Sequence, residues 1–387
     1  MAGRGSSIVQ VPLISTRILP SDWTSVRAIG ELTELCDILT VKYFGSRLFT
    51  SQKGVVPLAE AGFADPLKMP LLRYITVLSL TAAAHAVDVS PSQYIPHPWV
   101  IDLTEENDKF GPKNKDRYYT QGLKLAINTD EHTFFSLTQE INTPSDTTAP
   151  DPPNTDLPYS GALYLGWGYG KVFDRGGKKD CMFSVEFKLG VIGPSSGAET
   201  IQNKFHALIG RPQTAGWGTQ VPDEPIINID TEFRRRFDLD STGRGYRDLI
   251  ARMALELGTM RTEALFGAQL RWGLNLDKSW GHSYIRHSNG YDPVSALSPQ
   301  DNRANFAYWA FIDSQLEVVA HNYATDGANF RESTAVTRRA MVVQLALGTT
   351  FQLHQWSATY FIAVRTKEFE TQDGMHFFGG VKGALLF

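Results

Sequence analysis

Residues Cys181 to Ile192 read CMFSVEFKLGVI. The odd positions, Cys181, Phe183, Val185, Phe187, Leu189 and Val191, are all apolar, whereas the even ones include Ser184, Glu186, Lys188 and Gly190. A period of two places one apolar and one charged face on an extended strand. One such strand suits a soluble protein as well, so repetition decides the reading. Leu249, Ala251, Met253, Leu255 and Leu257 alternate with Arg252 and Glu256. Ala264, Phe266, Ala268, Leu270 and Trp272 alternate with Glu263, Gln269 and Arg271, and Ile227, Ile229 and Phe233 with Asn228, Asp230, Glu232 and Arg234. Apolar side chains facing out and charged ones facing in describe a transmembrane barrel with a wet or polar-packed lumen.

About twelve segments follow this pattern, each near the roughly 9 to 11 residues that cross a bilayer when tilted. They lie at 97–108, 118–128, 133–141, 159–171, 181–193, 226–239, 247–258, 261–274, 304–320, 338–350, 353–367 and 376–387. The expected fold is therefore all-β, a transmembrane antiparallel β-barrel of about twelve strands with a short helix in an extracellular loop. A soluble β-sandwich is the rival, but its many apolar faces would all have to meet one another. Polar turns punctuate the strands at Asn128-Thr129-Asp130, Asp174-Arg175-Gly176-Gly177 and Asp240-Ser241-Thr242-Gly243. Trp99, Tyr118, Tyr119, Trp167, Tyr169, Trp272, Trp309 and Trp356 fall near strand ends and are expected in the interfacial girdles. The last residue, Phe387, resembles the terminal aromatic of outer-membrane proteins, so the C-terminus is expected to be complete.

Ahead of the barrel, Met69 to Ala86 reads MPLLRYITVLSLTAAAHA. Arg73 supplies a positive start, Tyr74 to Ala84 an apolar stretch too short to span a bilayer, and Ala84-His85-Ala86 a small-x-small cleavage pattern. The expected organisation is an upstream extension over residues 1–68, a signal peptide over 69–86 and the barrel over 87–387. Of 37 Lys+Arg and 41 Asp+Glu, 8 and 6 lie before residue 87, leaving the exported chain at net charge −6. That balance lacks the concentrated basic face nucleic acid requires, and no nucleic-acid partner is expected.

Two places depart from plain barrel construction. The first is the hairpin TEENDKFGPKNKDRYYTQGLKL from Thr104 to Leu125. Asn107 and Asp108 close its first strand and Thr120 opens its second. Parity puts Asp102, Thr104, Glu106 and Asp108 on one face together with Thr120 and Lys124, with Asn107 on the other. Carboxylate, hydroxyl and carbonyl oxygens at such a rim are hard ligands suited to Ca²⁺, although acidic residues also populate any solvated rim. The second is GVIGPSSGAETIQNKFHALIGRP, the one convincing helix of the exported chain. Ser196 and Glu199 have capping-box spacing, and Gly210, Arg211 and Pro212 form a stop. Ile201, Phe205, Leu208 and Ile209 make an apolar stripe expected to pack on the barrel, with Gln202, Asn203 and His206 along its edge. A histidine there could serve as a base.

Taken together, END, DRYYTQGL, the strand beginning at Pro158-Tyr159 and GVIGPSSGAETIQNKFHALIG resemble the LpxR family of outer-membrane lipid A deacylases, over about Trp99 to Phe387. The resemblance implies a twelve-stranded barrel in the bacterial outer membrane, with its site between the wall and a loop helix. It implies Ca²⁺-dependent removal of the 3'-linked acyloxyacyl group from lipid A or lipopolysaccharide by a monomer set among outer-membrane lipids. Carried over by position, Asn107, Asp108, Thr120 and His206 would be catalytic, with Asp108 also holding the metal. Two polar positions of the family are unmatched. No lysine stands in Thr143 to Pro150, and Arg211 and Pro212 follow Gly210 where some members have a glutamate just past the helix.

The residue types suit ester hydrolysis. A barrel offers no α/β scaffold on which a Gly-x-Ser-x-Gly elbow would present a serine nucleophile, so water activated by His206 is the expected nucleophile, with Thr120 the alternative. Asn107 and Thr120 would fix water, metal or oxyanion. Lys109, Lys113, Lys115 and Arg117 could meet lipid phosphates. The rivals are a non-enzymatic pore or structural barrel and an outer-membrane phospholipase.

Overall fold

The computed structural model describes residues 99–111, 117–129, 132–175, 178–240, 246–292 and 306–386. The expected extension, the signal peptide, Lys113, Lys115 and Phe387 lie outside these residues. The twelve strands are β1 (Val100–Asn107), β2 (Tyr118–Asn128), β3 (Thr133–Thr143), β4 (Ser160–Arg175), β5 (Lys178–Ile192), β6 (Glu224–Asp238), β7 (Arg247–Gly258), β8 (Arg261–Leu274), β9 (Phe306–Asn322), β10 (Met341–Leu353), β11 (Trp356–Arg365) and β12 (His376–Leu386). Each pairs antiparallel with the next, and β12 closes on β1 from Val100↔Leu386 to Asn107↔Gly379. Closure leaves no unpaired edge and rules out a sandwich. β7 and β8 have the bounds the alternation predicts. β10 and β11 are displaced, because their turn is His354-Gln355, with His354 at φ 52°. A histidine in the left-handed region gives no turn signal of the Gly, Asn or Asp kind.

Leu165, Trp167, Leu189, Ile227, Leu255 and Leu347 are exposed on the outer wall, while Lys188, Asp230, Glu232, Arg252 and Glu317 are buried inside. Of the expected girdle residues, Trp99, Trp167, Tyr169, Trp272 and Trp356 are exposed. Tyr118, Tyr119 and Trp309 are buried instead, the last two in an internal aromatic cluster with Tyr284, Phe361 and Phe378.

The lumen is filled. Arg365 clamps Glu317 through both guanidinium arms at 2.6 and 2.8 Å, Lys188 bonds Asp230 at 3.0 Å, Arg271 holds Asp248 at 2.5 and 2.9 Å, and Arg261 pairs with Glu140. Removed from water, these charges persist only because each finds an opposite one.

A second filling comes from the β8–β9 connection, which leaves the end opposite the β1–β2 loop and runs up inside the barrel. His282 N–H donates to Gln269 (3.0 Å), Ile285 N–H to Glu106 (2.8 Å) and Arg286 to Glu368 (3.2 Å) of the β11–β12 loop. Descending, Lys124 donates to the Ser288 carbonyl (3.0 Å) and Asn128 to the Gly290 carbonyl (3.3 Å). At the tip His287 sits at φ 64° between Glu263 and Glu317.

Candidate active site

The helix α1 (Ala198–Leu208) belongs to the β5–β6 loop. Its start is not the expected capping box: Gly197 at φ 71° is the N-cap, no side chain caps it, and Ser196 Oγ accepts only a long 3.4 Å bond from Ala198 N–H. The far end fits the sequence better. Gly210 at φ 70° lets Arg211 N–H reach the His206 carbonyl (2.8 Å) and Gly210 N–H the Ala207 carbonyl (3.3 Å), a Schellman closure.

The helix lies on the outside of the wall. On β4 the outward row runs Gly161, Leu163, Leu165, Trp167, and a side chain at Gly161 would collide with the Ala198 β-carbon at 2.3 Å. Glycine is required there for the helix to approach. On β3 the outward row is Phe135, Leu137, Gln139, Ile141, Thr143; the first two are exposed, but the last three are buried. Ile141 packs with Tyr159, Ala198 and Trp217 of the covering loops.

The expectation for the helix face is reversed. Ile201, Phe205, Leu208 and Ile209 are 41, 44, 82 and 50% exposed, whereas Gln202 and His206 are 3 and 6% exposed. The line turned inward is Ala198, Gln202, His206, spaced by four. Gln202 Oε1 accepts from Trp217 Nε1 (3.0 Å), and its buried Nε2, like that of Gln139, has no hydrogen-bond partner among the described residues. The His206 ring bonds the Pro212 carbonyl through Nδ1 at 2.8 Å.

Of the expected residues, Asn107 ends β1 and its Oδ1 accepts from Lys109 N–H (2.9 Å), capping a 3-10 turn over Asp108–Phe110. Asp108 is in that turn rather than in the strand, and its Oδ2 accepts from Arg117 N–H (2.7 Å), tying the two ends of the loop. Thr120 overturns the parity argument. The register between β2 and β3 slips between Tyr119↔Asn142 and Gln121↔Ile141, so Thr120 is a bulge residue. Its hydroxyl bonds Thr143 (2.7 Å) on the outer row, while Tyr119 donates to Glu106 (2.8 Å) in the lumen. Just before the bulge Tyr118 adopts φ 64°, a strained value for an aromatic residue. Thr120 thus shares the outer face with Asn107, and not the inner one with Asp102, Thr104 and Glu106. Arg117, a suggested phosphate contact, pairs with Asp373 (3.1 Å).

Sequence reasoning missed Thr143 and Gln139. The signal was slight: polar Gln139 and Thr143 stand in a row that otherwise reads Phe135, Leu137, Ile141, and a lipid-facing row that turns polar implies a cover over that wall.

Among the described residues one cluster could hold a metal by proximity: Glu263, His287 and Glu317 each offer an atom within 4.8 Å of the others. Arg365 already neutralises Glu317 there, and both ring nitrogens of His287 face carboxylates. A set containing imidazole beside a guanidinium does not fit Ca²⁺, which takes oxygen ligands. Asn107, Asp108, Thr120 and Thr143 offer side-chain oxygens at the rim, the donor chemistry a hard cation requires.

The family described as outer membrane protein LpxR matches residues 72–387. The structure of LpxR from Salmonella typhimurium is similar at TM-score 0.64 and 18% identity, over 74% of this chain and all of that one. The β domain of the Bordetella autotransporter Brka is much less similar, at TM-score 0.35 and 10% identity over 75% of this chain and 99% of that one. No curated protein matches the chain. With the family matched from residue 72 to the last residue, this chain belongs to the LpxR family and is a protein of the bacterial outer membrane.

Proposed function

We propose that the protein is a lipid A 3'-O-deacylase that hydrolyses the 3'-linked acyloxyacyl ester in the outer leaflet, in the gap between α1 and the outer barrel wall. The observation that carries this reading is the set of buried polar groups between α1 and the wall, outside a barrel whose lumen is occupied by charge pairs and by the described part of the β8–β9 connection. A pore would put its polar groups in the channel and leave them hydrated. Here the channel holds a plug, and polar groups sit under cover on the lipid side at Gln139, Thr143, Gln202 and His206.

The span of the helix supports the grouping. Its contacts fall on β4 and β3. From Ala198 at Gly161, eight residues at about 1.5 Å each carry the chain roughly 12 Å, or two to three strands at about 4.8 Å, toward Thr120 and Asn107.

In the reaction His206 is the base. Its Nδ1–H donates to the Pro212 carbonyl, which leaves Nε2 with the lone pair in the neutral ring. Nε2 takes a proton from water as the water oxygen attacks the ester carbonyl. The tetrahedral oxyanion collapses, the bond to the sugar oxygen breaks, and the same proton passes to that oxygen as it leaves. Asn107, whose Oδ1 is held by Lys109 N–H, turns its amide donors toward the oxyanion, and Thr120, fixed by Thr143, orients the water. Ca²⁺, held by the Asp108 carboxylate, would polarise the ester carbonyl. The Pro212 carbonyl orients the histidine at the point where some relatives have a glutamate.

The test is purified protein in detergent with Ca²⁺ and lipid A, followed by mass spectrometry. Loss of one acyloxyacyl group supports the reading. Unchanged lipid A with ion conductance would favour a pore, and release of fatty acid from glycerophospholipids alone would favour a phospholipase.

A further inference from the structure

Among the described residues the apolar stripe of α1 is left largely uncovered. At about 100° per residue, Ile201 and Phe205 lie roughly 60 to 100° to one side of the wall-facing line through Gln202, with Leu208 slightly beyond. Glu199 and Asn203 lie as far to the other side. That polar flank is taken up by the helix's own loop, since Asn203 Oδ1 accepts from both the N–H (2.9 Å) and the hydroxyl (2.8 Å) of Thr214. The helix is therefore held on two sides, and its third, apolar side is left open, with Leu208 82% exposed.

Height on the barrel identifies what meets this side. The helix starts against Gly161, which is two residues beyond Leu163 and four beyond Leu165 in the outward row of β4, hence about 7 and 13 Å along the strand. Leu165, Trp167 and, on β3, Phe135 and Leu137 belong to the exposed apolar belt. The helix is thus seated on the outer margin of the surface that lipid covers. We propose that α1 is an interfacial helix, its Ile201–Phe205–Leu208 flank, extended by Ile209, immersed in the acyl chains of the leaflet surrounding the barrel. An amphipathic helix in this position buries its apolar flank in the boundary between headgroups and acyl chains and keeps its charged flank in water. The gap beneath it then opens sideways into the leaflet. The membrane contact requires only the barrel and the helix, so it holds whether or not the gap hydrolyses lipid A.

The full chain is reconstituted in phosphatidylcholine vesicles containing lipids with a nitroxide on the acyl chain. An environment-sensitive fluorophore is attached at Leu208→Cys, Ile201→Cys or Lys204→Cys, with unsubstituted protein reporting labelling of the native cysteines. Quenching several-fold stronger at positions 208 and 201 than at 204 is the expected result. Equal quenching at 208 and 204 would overturn the proposal, because the stripe would then face water or another part of the protein. Leu208 is in the last turn and mostly exposed, so its substitution leaves the heat-modifiable barrel intact and decides the question even if Ile201→Cys does not fold.

Discussion

The inside and the outside of the wall at the helix-bearing end handle buried polarity in opposite ways. In the lumen, Arg365 and Glu317, Arg261 and Glu140, and Arg286 and Glu368 meet as pairs of opposite charge, and residues 282–290 of the β8–β9 connection are threaded among them. Outside, under α1, the groups are neutral amides and hydroxyls with one imidazole: Gln139, Thr143, Gln202 and His206. Buried pairs of opposite charge hold their partners firmly, whereas neutral amides, hydroxyls and an imidazole can exchange partners more readily. The lumen thereby braces the wall on which the proposed site is mounted.

The sharpest way to break this contrast is inside. Arg365→Leu leaves Glu317 buried without its partner and should cost about 3–5 kcal/mol, enough to lose the heat-modifiable barrel in a gel-shift or urea titration. Arg365→Leu/Glu317→Leu should restore much of that stability; a single variant as stable as the parent would mean that the lumen pairs contribute little. Outside, the fold should survive and chemistry should fail. Asp108→Ala, or chelation of Ca²⁺ from the unsubstituted protein, should abolish lipid A deacylation while the heat-modifiable barrel persists, and only the chelated protein should recover on adding Ca²⁺. His206→Ala should lower the rate about 10²–10⁴-fold, again with the barrel intact. Full activity in that variant would remove the base from the scheme. Thr120→Val breaks one hydroxyl pair worth about 0.5–1.5 kcal/mol, so roughly a tenfold loss or less is expected.

The smallest effect concerns pH. Burial pushes the Glu368 carboxyl up, but the Arg365 and Arg286 guanidiniums outweigh it and hold the group at about 2. A carboxyl held below its ordinary 4.5 stabilises the fold above that value, and the contribution fades as pH falls toward 2. Glu368→Gln should flatten the stability profile in this window alone, as read by urea midpoints.

Much of this architecture is written in the chain. Alternation such as Leu249 to Leu257 against Arg252 and Glu256 fixes a strand, its two faces and, through repetition, a barrel with charges inside, because a period of two is a local property of extended backbone. The motifs around Asn107, Asp108, Thr120 and His206 likewise marked one end of the barrel. Only the tertiary structure decided which side of the wall each group occupies. One bulge at Thr120 moved it from the expected inner face to the outer one, and the helix turned Gln202 and His206, not Ile201 and Phe205, toward the wall. Nor did the polar loop after β8 announce that it would fill the lumen, since its partners at Glu106, Lys124, Glu263 and Glu317 are strewn across the sequence. Register slips and loop paths are settled by contacts between distant segments and by where lipid lies, and a pattern confined to neighbouring residues carries neither.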